Sequence, residues 1–407
     1  MNTRALVIDE VSMIDGDLFD KLNHIGRTIR KDGRPWGGLQ LILTGDFFQL
    51  PPVPDDKIRG AKFAFDAATW NTSIDHTIGL TQVFRQKDAD FATMLNEMRV
   101  GKVTDQTLRT FQSLSRPLQF DDGIEVTELF STRLEVETAN NTRLRALKGE
   151  LLRFTAKDSG EPSVRERLLQ YMMAPKTIEL KVGAQVMLIK NFDQTLVNGS
   201  IGTIKSFKTV REWTLSAEAG DEALELDSGD ESYLKKKIRK FASTHVEADP
   251  PKFPVVEFLA ADGTHRTRHV VAEEWKVELP NGEVQAQRSQ LPLILAWALS
   301  IHKAQGQTLD RVKVNLGRTF EKGQAYVALS RATTKEGLQV LKFDKTKIMA
   351  HPRVVHFYEK LYSAEDAAKN SSKKQPTIQA MFNMDGAGGP YGNSYGESEK
   401  EPAYLRS

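Results

Sequence analysis

Two short apolar runs near the start of the chain constrain its fold more than any other feature. Residues 5–8 (ALVI) and 39–44 (LQLILT) have the length and composition of strands buried in a parallel sheet. Between them, apolar residues recur at spacings that predict one face of a helix, made by Leu18, Leu22, Ile25 and Ile29. The order strand, helix, strand predicts an α/β fold.

The composition limits what kind of protein this can be. The 407 residues allow roughly two to four domains. The formal net charge of +2 excludes a strongly basic nucleic-acid coat, but not a local basic groove. The absence of cysteine excludes disulfides, Cys-based zinc sites and a Cys nucleophile. No apolar run approaches transmembrane length, and the first residues leave no room for a targeting peptide, so we expect no membrane partner.

The pattern changes to short strands near residue 178. Strand candidates separated by turn signals lie at 184–190, 201–207 and 254–259, and they predict a small β-barrel inserted in the α/β protein. Residues 211–250 lack apolar periodicity and carry an acidic run and then a basic run, which predicts a partly disordered surface loop. Beyond about residue 363 the small, polar composition predicts a disordered tail.

The α/β pattern lies on both sides of this region. Before it, helices are predicted over 88–100 and 106–114. After it, the apolar runs 291–299 and 312–316 predict further buried strands.

The acidic residues that follow the first strand are the first candidate site. Two adjacent carboxylates at a strand's carboxyl end fit nucleotide hydrolysis, with Asp9 holding Mg²⁺ through water and Glu10 polarising the attacking water. An ordinary strand exit is the alternative, and an isolated pair fits it more often. After the second strand, the amide of Gln49 is placed to contact a γ-phosphate or a water, unless this segment is only a surface loop.

Later basic residues are candidates for phosphate contacts. Arg85 presents a planar donor fork, although a single arginine is more often part of a surface ion pair. His302 and Lys303 precede a glycine turn, which suits contacts to a nucleic-acid backbone. Arg331 follows an apolar run and has the arrangement of an arginine finger.

Five motifs occur in the order seen in superfamily 1B helicases. They are DEVSM (9–13), GRPWGGLQLILTGDFFQLPPV (33–53), LTQVFRQ (80–86), SIHKAQGQTLD (300–310) and AYVALSRA (325–332). The second motif resembles the signature of the petite-integration-frequency (Pif-type) DNA helicases, and the resemblance covers roughly residues 4–345.

The resemblance implies two RecA-like (P-loop NTPase) motor domains, the first truncated, with a small SH3-like β-barrel inserted in the second. It also implies ATP- and Mg²⁺-dependent 5′-to-3′ unwinding, acting on single-stranded DNA and DNA forks in the nucleus or mitochondrion, in repair, recombination and telomere maintenance. The implied segments are the first RecA-like domain (1–78), the second (79–177 and 291–362), the barrel (178–290, with its loop near 211–250) and the tail (363–407).

The motif match also implies residue roles. Asp9 binds the metal, Glu10 activates water, and Gln49 couples the nucleotide to strand movement. Arg85 and Arg331 stabilise the transferring phosphate. The remaining roles are nucleotide contact by Gly306 and DNA binding or DNA–ATP coupling by Ser300, His302 and Lys303.

The chain departs from the family pattern at the P-loop, G-x-x-x-x-G-K-[ST]. Its sole Gly-Lys pair, Gly101-Lys102, is followed by Val103 and comes after a predicted helix. We therefore expect a fragment or truncated gene model that alone neither binds ATP tightly nor unwinds DNA; a genuine short isoform or pseudo-enzyme is the alternative. A sheet without its P-loop strand should also expose apolar strand edges and a strand face.

The tail resembles the clamp-binding peptide Q-x-x-[ILM]-x-x-aromatic-aromatic. The matching residues are Gln375, Ile378 and Phe382, with Met381 in place of the first aromatic. Such peptides insert apolar side chains into a hydrophobic pocket, although chance matches in tails of this composition are common. The alternative function for the chain is therefore a non-catalytic DNA- and sliding-clamp-binding module.

Overall fold

The structure is a computed structural model that describes residues 3–53, 60, 62–80, 82–120, 122–218, 250–260, 263–279, 281–318 and 321–371. The chain divides into two compact units, Met1–Val355 and His356–Ser407. Of the second unit, the structure describes residues 356–371, which are helical. Within the described ranges, no helix combines the length and the apolar character needed to cross a membrane.

The helices are α1 (Gly16–Arg30), α2 (Trp70–Ser73), α3 (Ala89–Arg99), α4 (Asp105–Ser113), α5 (Arg133–Ala146), α6 (Pro162–Leu169), α7 (Val210–Glu218), α8 (Ile301–Ala304), α9 (Gln324–Leu329) and α10 (Pro352–Ser371). Short 3-10 helices span Val11–Met13, Pro35–Gly38, Ala64–Asp66, Leu316–Arg318 and Lys345–Lys347. The strands are β1 (Ala5–Ile8), β2 (Gln40–Leu43), β3 (Thr127–Phe130), β4 (Leu152–Thr155), β5 (Lys157–Gly160), β6 (Thr177–Leu180), β7 (Gln185–Leu188), β8 (Ile201–Lys208), β9 (Phe253–Leu259), β10 (His265–His269), β11 (Glu273–Glu278), β12 (Val284–Gln290), β13 (Leu293–Leu295), β14 (Ala298–Ser300), β15 (Val312–Asn315) and β16 (Leu338–Leu341).

The two predicted strands at the start of the chain pair in parallel. β1 and β2 are in register from Ala5–Gln40 to Ile8–Leu43, which confirms the predicted pairing. The prediction that they are buried is wrong, because Val7 is 62% exposed and Ile42 is 41% exposed. The expectation of an exposed strand face is confirmed. We call residues 3–78 the first lobe.

Helix α1 forms where the apolar spacing predicts it, but a different face is buried. Phe19 is fully buried and packs against Trp36 and Trp70, with ring centroids 5.0 and 5.4 Å away. The predicted apolar face is partly exposed, with Ile25 and Ile29 about half accessible. The aromatic cluster determines which face of α1 is covered, because large rings bury more area than the aliphatic side chains.

A parallel sheet ordered β14-β3-β15-β16 is the centre of what we call the second lobe. The predicted helices at 88–100 and 106–114 are confirmed as α3 and α4, and Asp88 caps α3 by accepting from the backbone nitrogens of Asp90 and Phe91. The apolar run 291–299 divides between two sheets, since β13 pairs with β7 and β14 with β3. Apolar residues of α3, α4, α8, α9 and this sheet form one core, which also includes Leu50 of the first lobe.

The region between β3 and β14 contains antiparallel sheets ordered β10-β9-β8-β7-β13, β11-β12-β5 and β4-β6. It begins before residue 178, because β4 and β5 pair with later strands of the same region. A second core of buried apolar side chains, among them Val256, Phe258 and Leu293, lies here.

The start of the segment predicted to be a loop is instead the helix α7. The backbone nitrogen of Thr209 donates to Glu212 Oε2 (2.7 Å), and the nitrogen of Glu212 donates to Thr209 Oγ1 (3.1 Å). This reciprocal capping box starts a helix even where apolar periodicity is weak. Residues 219–249 lie outside the described residues.

Candidate functional site

Asp9 and Glu10 lie at the carboxyl end of β1, as predicted. Asp9 Oδ1 accepts hydrogen bonds from the backbone nitrogen of Glu10 (2.9 Å) and from the hydroxyl of Thr44, which follows β2. The side chain of Asp9 is nevertheless exposed. Glu10 has a left-handed backbone, with φ 52° and ψ 46°. A residue with a Cβ adopts this conformation at a cost of about 1–3 kcal/mol, so the surrounding contacts must stabilise it.

The carboxylate of Glu10 contacts the second lobe. Gln305 Nε2 donates to Glu10 Oε2 at 3.0 Å. Gly306 follows, with φ +77°, and a Cβ placed there would lie 3.6 Å from Glu10 Oε1. The segment after α8 therefore lies directly against the acidic residue of the first lobe.

Arg85 contacts the same segment. Its Nε donates to Thr308 Oγ1 at 3.1 Å, and its Nη2 lies 3.5 Å from the carbonyl oxygen of Gly306. Burial lowers the pKa of Arg85, and the negative charge of Glu10 partly offsets this shift. A cleft of about 290 Å³ lies beside it, lined by Phe84, Gln86 and Tyr326 among others.

Arg331 is the most deeply buried cation of the site, with 2% of its surface exposed. Its guanidinium donates to neutral oxygens, those of Val327 (2.9 Å) and Ser330 (2.9 Å). Burial, and then repulsion from Arg85, lowers its pKa to about 10. Two partly desolvated guanidinium groups close to one carboxylate are an arrangement that an anion with several charges would stabilise.

Three glutamine side chains of the predicted motifs carry buried polar atoms without a partner among the described residues. The amide oxygens of Gln49, Gln305 and Gln307 are buried, and none has a hydrogen-bond partner among the described residues. Buried polar atoms of this kind need a water or a ligand as partner. The structure thus groups Glu10, Arg85, Gly306 and Arg331, and places Gln49 in the loop after β2.

The predicted DNA-binding residues have different environments. Ser300 is buried, and its hydroxyl accepts from the backbone nitrogen of Lys303 (3.2 Å), so it caps α8. His302 Nε2 lies 3.7 Å from Glu321 Oε2. Partial burial of its ammonium group, and then the nearby guanidinium of Arg133, lower the pKa of Lys303. Lys303 of α8 and Arg133 at the start of α5 are thus close enough for their charges to interact, and we call this pair the basic face.

Known proteins resemble this chain over most of its length. A family model described as "PIF1-like helicase" matches residues 1–109, and one described as "DNA helicase Pif1, 2B domain" matches residues 164–207. The ATP-dependent DNA helicase PIF1 of Emericella nidulans is 56% identical over 385 residues, which cover 92% of this chain and 52% of that protein. The crystal structure of Pif1 helicase from Candida albicans is 44% identical with a TM-score of 0.69, over 88% of this chain and 77% of that one. The chain belongs to the Pif1-like helicase family.

Other Pif1 relatives give the same result. The ATP-dependent DNA helicase PIF1 of Saccharomyces cerevisiae is 44% identical, over 90% of this chain and 51% of that protein. A Bacteroides Pif1 crystallised in complex with ADP-AlF3 and ssDNA is 26% identical with a TM-score of 0.58, over 89% of this chain and 76% of that one. The chain spans about half the length of the curated relatives it matches.

The carboxylates that follow β1 can be compared with what a nucleotide-bound Mg²⁺ needs. Asp9 presents an exposed carboxylate, and no group of three or more Asp, Glu or His side chains in the described part of the chain is arranged to hold a metal. Mg²⁺ bound to a nucleotide commonly uses one or two carboxylates together with waters and phosphate oxygens, which this arrangement allows.

The sequence interpretation left some residues of the site without a role. Gln305 lies inside the SIHKAQGQTLD motif, but nothing in the sequence indicated its contact with Glu10. Arg133 follows the carboxyl end of β3, a position that the order of strands along the chain could have indicated. The predicted clamp-binding residues Gln375, Ile378, Met381 and Phe382 lie outside the described residues.

Proposed function

We propose that this chain supplies the water-activating and DNA-gripping parts of an ATP-dependent Pif1-type helicase that moves 5′ to 3′ along single-stranded DNA. The observation that carries this proposal is the meeting of Glu10 with the segment held by Arg85 and Arg331. A carboxylate and two arginines at one place can supply the water-activating and charge-stabilising groups of phosphoryl transfer to water. The names of the curated relatives, ATP-dependent DNA helicases, support it.

Each residue then has a defined task. Bound Mg²⁺–ATP would supply the transferable phosphate, with Asp9 holding the metal. Glu10 accepts the proton of the attacking water, and Arg85 and Arg331 stabilise the negative charge that spreads over the phosphate oxygens. The amide of Gln49 contacts the nucleotide and couples its state to movement of the lobes.

The basic face of the second lobe binds DNA phosphates. Lys303 and Arg133 lie close together, and His302 is on the same short helix. Movement of the two lobes, driven by the nucleotide, alternates the grip on the strand.

We test this function first by DNA binding. Fluorescence anisotropy with an oligothymidine of about 16 nucleotides should show binding that weakens as salt rises. Lys303→Ala should weaken binding and reduce the slope of log K against log[salt] by about 0.7, the value for one phosphate contact on a single strand. Arg109→Ala removes an exposed arginine of α4 and should change neither the affinity nor the slope. Binding that is independent of salt would contradict the proposal.

The missing P-loop motif predicts whether the chain alone can bind and hydrolyse ATP. Because its sequence contains no G-x-x-x-x-G-K-[ST], we propose that it is part of a longer helicase and by itself neither binds ATP tightly nor unwinds DNA. DNA-stimulated ATP hydrolysis by the purified 407-residue chain would refute this. An in-frame P-loop upstream of Met1 in the transcript would support it.

We further propose that the tail binds the sliding clamp and that the protein acts in DNA repair, recombination and telomere maintenance in the nucleus, the mitochondrion or both. The clamp proposal rests on the sequence pattern of Gln375, Ile378, Met381 and Phe382. A peptide of residues 370–385 should bind the clamp in a titration, and Ile378→Ala with Phe382→Ala should abolish binding. Equal binding by the original peptide and by the peptide with the two substitutions would contradict the proposal.

A further inference from the structure

Gln305 makes a contact that the proposed function does not use. Its side-chain nitrogen donates to Glu10 Oε2 across 295 residues of sequence. The orientation of this amide is determined by its partner, because a carboxylate only accepts hydrogen bonds and the amide oxygen would repel it. The amide oxygen therefore points away from Oε2. It is buried, and it has no hydrogen-bond partner among the described residues.

The backbone around Gln305 is fixed to the end of α8. The backbone nitrogen of Gln305 donates to the carbonyl of His302 (3.3 Å), and that of Gln307 donates to Ala304 (3.0 Å). These bonds make residues 305–307 a turn attached to the end of the short helix that carries Lys303. A displacement of α8 would therefore displace the amide of Gln305.

The same segment is fixed at its far end to the arginines. Arg331 Nη1 donates to the carbonyl of Gln307 at 3.4 Å, and the backbone nitrogen of Leu309 donates to the carbonyl of Arg331 at 3.0 Å. Arg85 contacts Gly306 and Thr308. The segment is thus attached both to the basic DNA face and to the groups that face the phosphate.

Glu10 depends on outside contacts for its position. Its left-handed backbone is an unfavourable conformation, and among the described residues its carboxylate has Gln305 as the hydrogen-bond donor. Loss of that donor would leave the carboxylate of a strained residue without a partner to orient it.

We infer that Gln305 is a positioning residue that orients the Glu10 carboxylate and transmits the state of α8, free or bound to a DNA phosphate, to it. The inference rests on the proposed function for the role of Glu10 in activating water. The hydrogen bond between Gln305 and Glu10 is observed in the structure. Coupling between the two sites is reciprocal, so a change at Glu10 must also alter DNA affinity.

Hydrogen–deuterium exchange of the full chain tests the inference without requiring hydrolysis. Exchange is followed in peptides that cover residues 9–13 and 301–309, with and without an oligothymidine of about 16 nucleotides. The variants are Gln305→Met, which keeps the shape but removes the donor, and Gln305→Lys, which keeps a donor. Gln339→Met is the matched control, because its amide also makes one contact, to the carbonyl of Ser115 at 3.4 Å, away from Glu10.

Gln305→Met should raise the exchange rate of residues 9–13 by about fivefold in the absence of DNA, the factor expected for the loss of one hydrogen bond of typical net strength. Oligothymidine should slow exchange at residues 9–13 in the original chain and in Gln305→Lys, but not in Gln305→Met. The control variant should behave as the original chain does.

Two results would overturn the inference. One is exchange at residues 9–13 that is unchanged by Gln305→Met, and the other is a rise of equal size in Gln339→Met. If oligothymidine still slows exchange at residues 9–13 in Gln305→Met, Gln305 does not transmit the state of α8 to Glu10. If neither the original chain nor any variant binds oligothymidine, both the proposed function and the transmission from α8 are wrong. The comparison of the original chain with Gln305→Met in the absence of DNA still decides whether Gln305 positions Glu10.

Discussion

Arg99 at the end of α3 donates to both carboxylate oxygens of Asp46, from Nε and Nη2, at 2.8 Å each. The guanidinium carbon also lies 4.4 Å from the centroid of the Phe48 ring. Only about a fifth of each charged side chain is exposed. The pair joins the loop after β2 in the first lobe to a helix of the second, so it contributes to holding the two lobes together.

We expect Arg99→Ala to lower the free energy of unfolding by about 2 kcal/mol, because Asp46 would remain largely buried without this guanidinium. Arg99→Lys should recover less than half of the loss, since an ammonium cannot reproduce the two parallel hydrogen bonds. Urea unfolding followed by fluorescence measures both. Arg109→Ala, on the exposed surface of α4, is the control and should change little. Equal stability of Arg99→Ala and the control would show that the pair contributes nothing.

The side chain of Asn140 in α5 makes the two backbone hydrogen bonds that a neighbouring strand would otherwise make with Ala298 of β14. Its side-chain nitrogen donates to the carbonyl of Ala298, and its side-chain oxygen accepts from the nitrogen of Ala298, both at 2.9 Å in a buried position. Asn140→Ala leaves two buried backbone groups unpaired, so the free energy of unfolding should fall by about 2–3 kcal/mol. Because α8 follows β14, affinity for oligothymidine should also fall. Thermal unfolding and anisotropy test the two effects, and a variant as stable as the original chain would contradict the first.

Gly26 and Gly33 make a matched pair of glycine sites. A Cβ at Gly26 would lie 2.9 Å from the carbonyl oxygen of Trp36, whereas a Cβ at Gly33 would meet nothing within 4 Å. Gly26→Ala should therefore destabilise the first lobe by about 1–3 kcal/mol, and Gly33→Ala should be neutral or slightly stabilising. Comparison of the two melting temperatures decides the matter. A loss of similar size in both variants would mean that backbone freedom, and not the approach of Trp36, is responsible.

Asp122 and Arg311 give the chain a defined response to acid. Hydrogen bonds from Arg311 lower the pKa of Asp122 to about 2 from its ordinary value of 3.8. A carboxyl group whose pKa is lower in the folded state stabilises that state above the ordinary pKa, and this contribution is lost as pH falls toward the lowered pKa. The melting temperature of Asp122→Asn should therefore lie below that of the original chain by a constant amount above about pH 5. The difference should shrink between pH 4 and pH 2, and a difference that stays constant there would contradict the prediction.

The parts of the site that were predicted from sequence follow from the geometry of parallel sheets. Carboxyl ends of parallel strands meet at one edge, so Glu10 after β1 could be placed from the order of apolar runs. Arg85 and Arg331 have no such local signal, and their roles came from the motif order. Their contacts with the segment after α8 confirm that the two arginines lie at one place.

The features that sequence did not predict depend on partners far apart in the chain. The buried face of α1 is the one that packs against Trp36 and Trp70. The spacing of apolar residues within α1 gives no information about these two distant rings. β4 and β5 are short and carry charged residues, so only their pairing with β6 and β12 reveals them. The contact of Gln305 with Glu10 likewise requires the lobes to be assembled.

The antiparallel region between β3 and β14 has a consequence for synthesis. β3 is one of the two inner strands of the parallel sheet, and its neighbours β14 and β15 both come after that region. The ribosome therefore delivers β3 and Asn140 long before Ala298, 158 residues later, which at typical elongation rates is a delay of roughly 8–30 s. During that interval the nascent chain presents this inner strand with both edges open, the state in which a holdase chaperone protects a chain against aggregation.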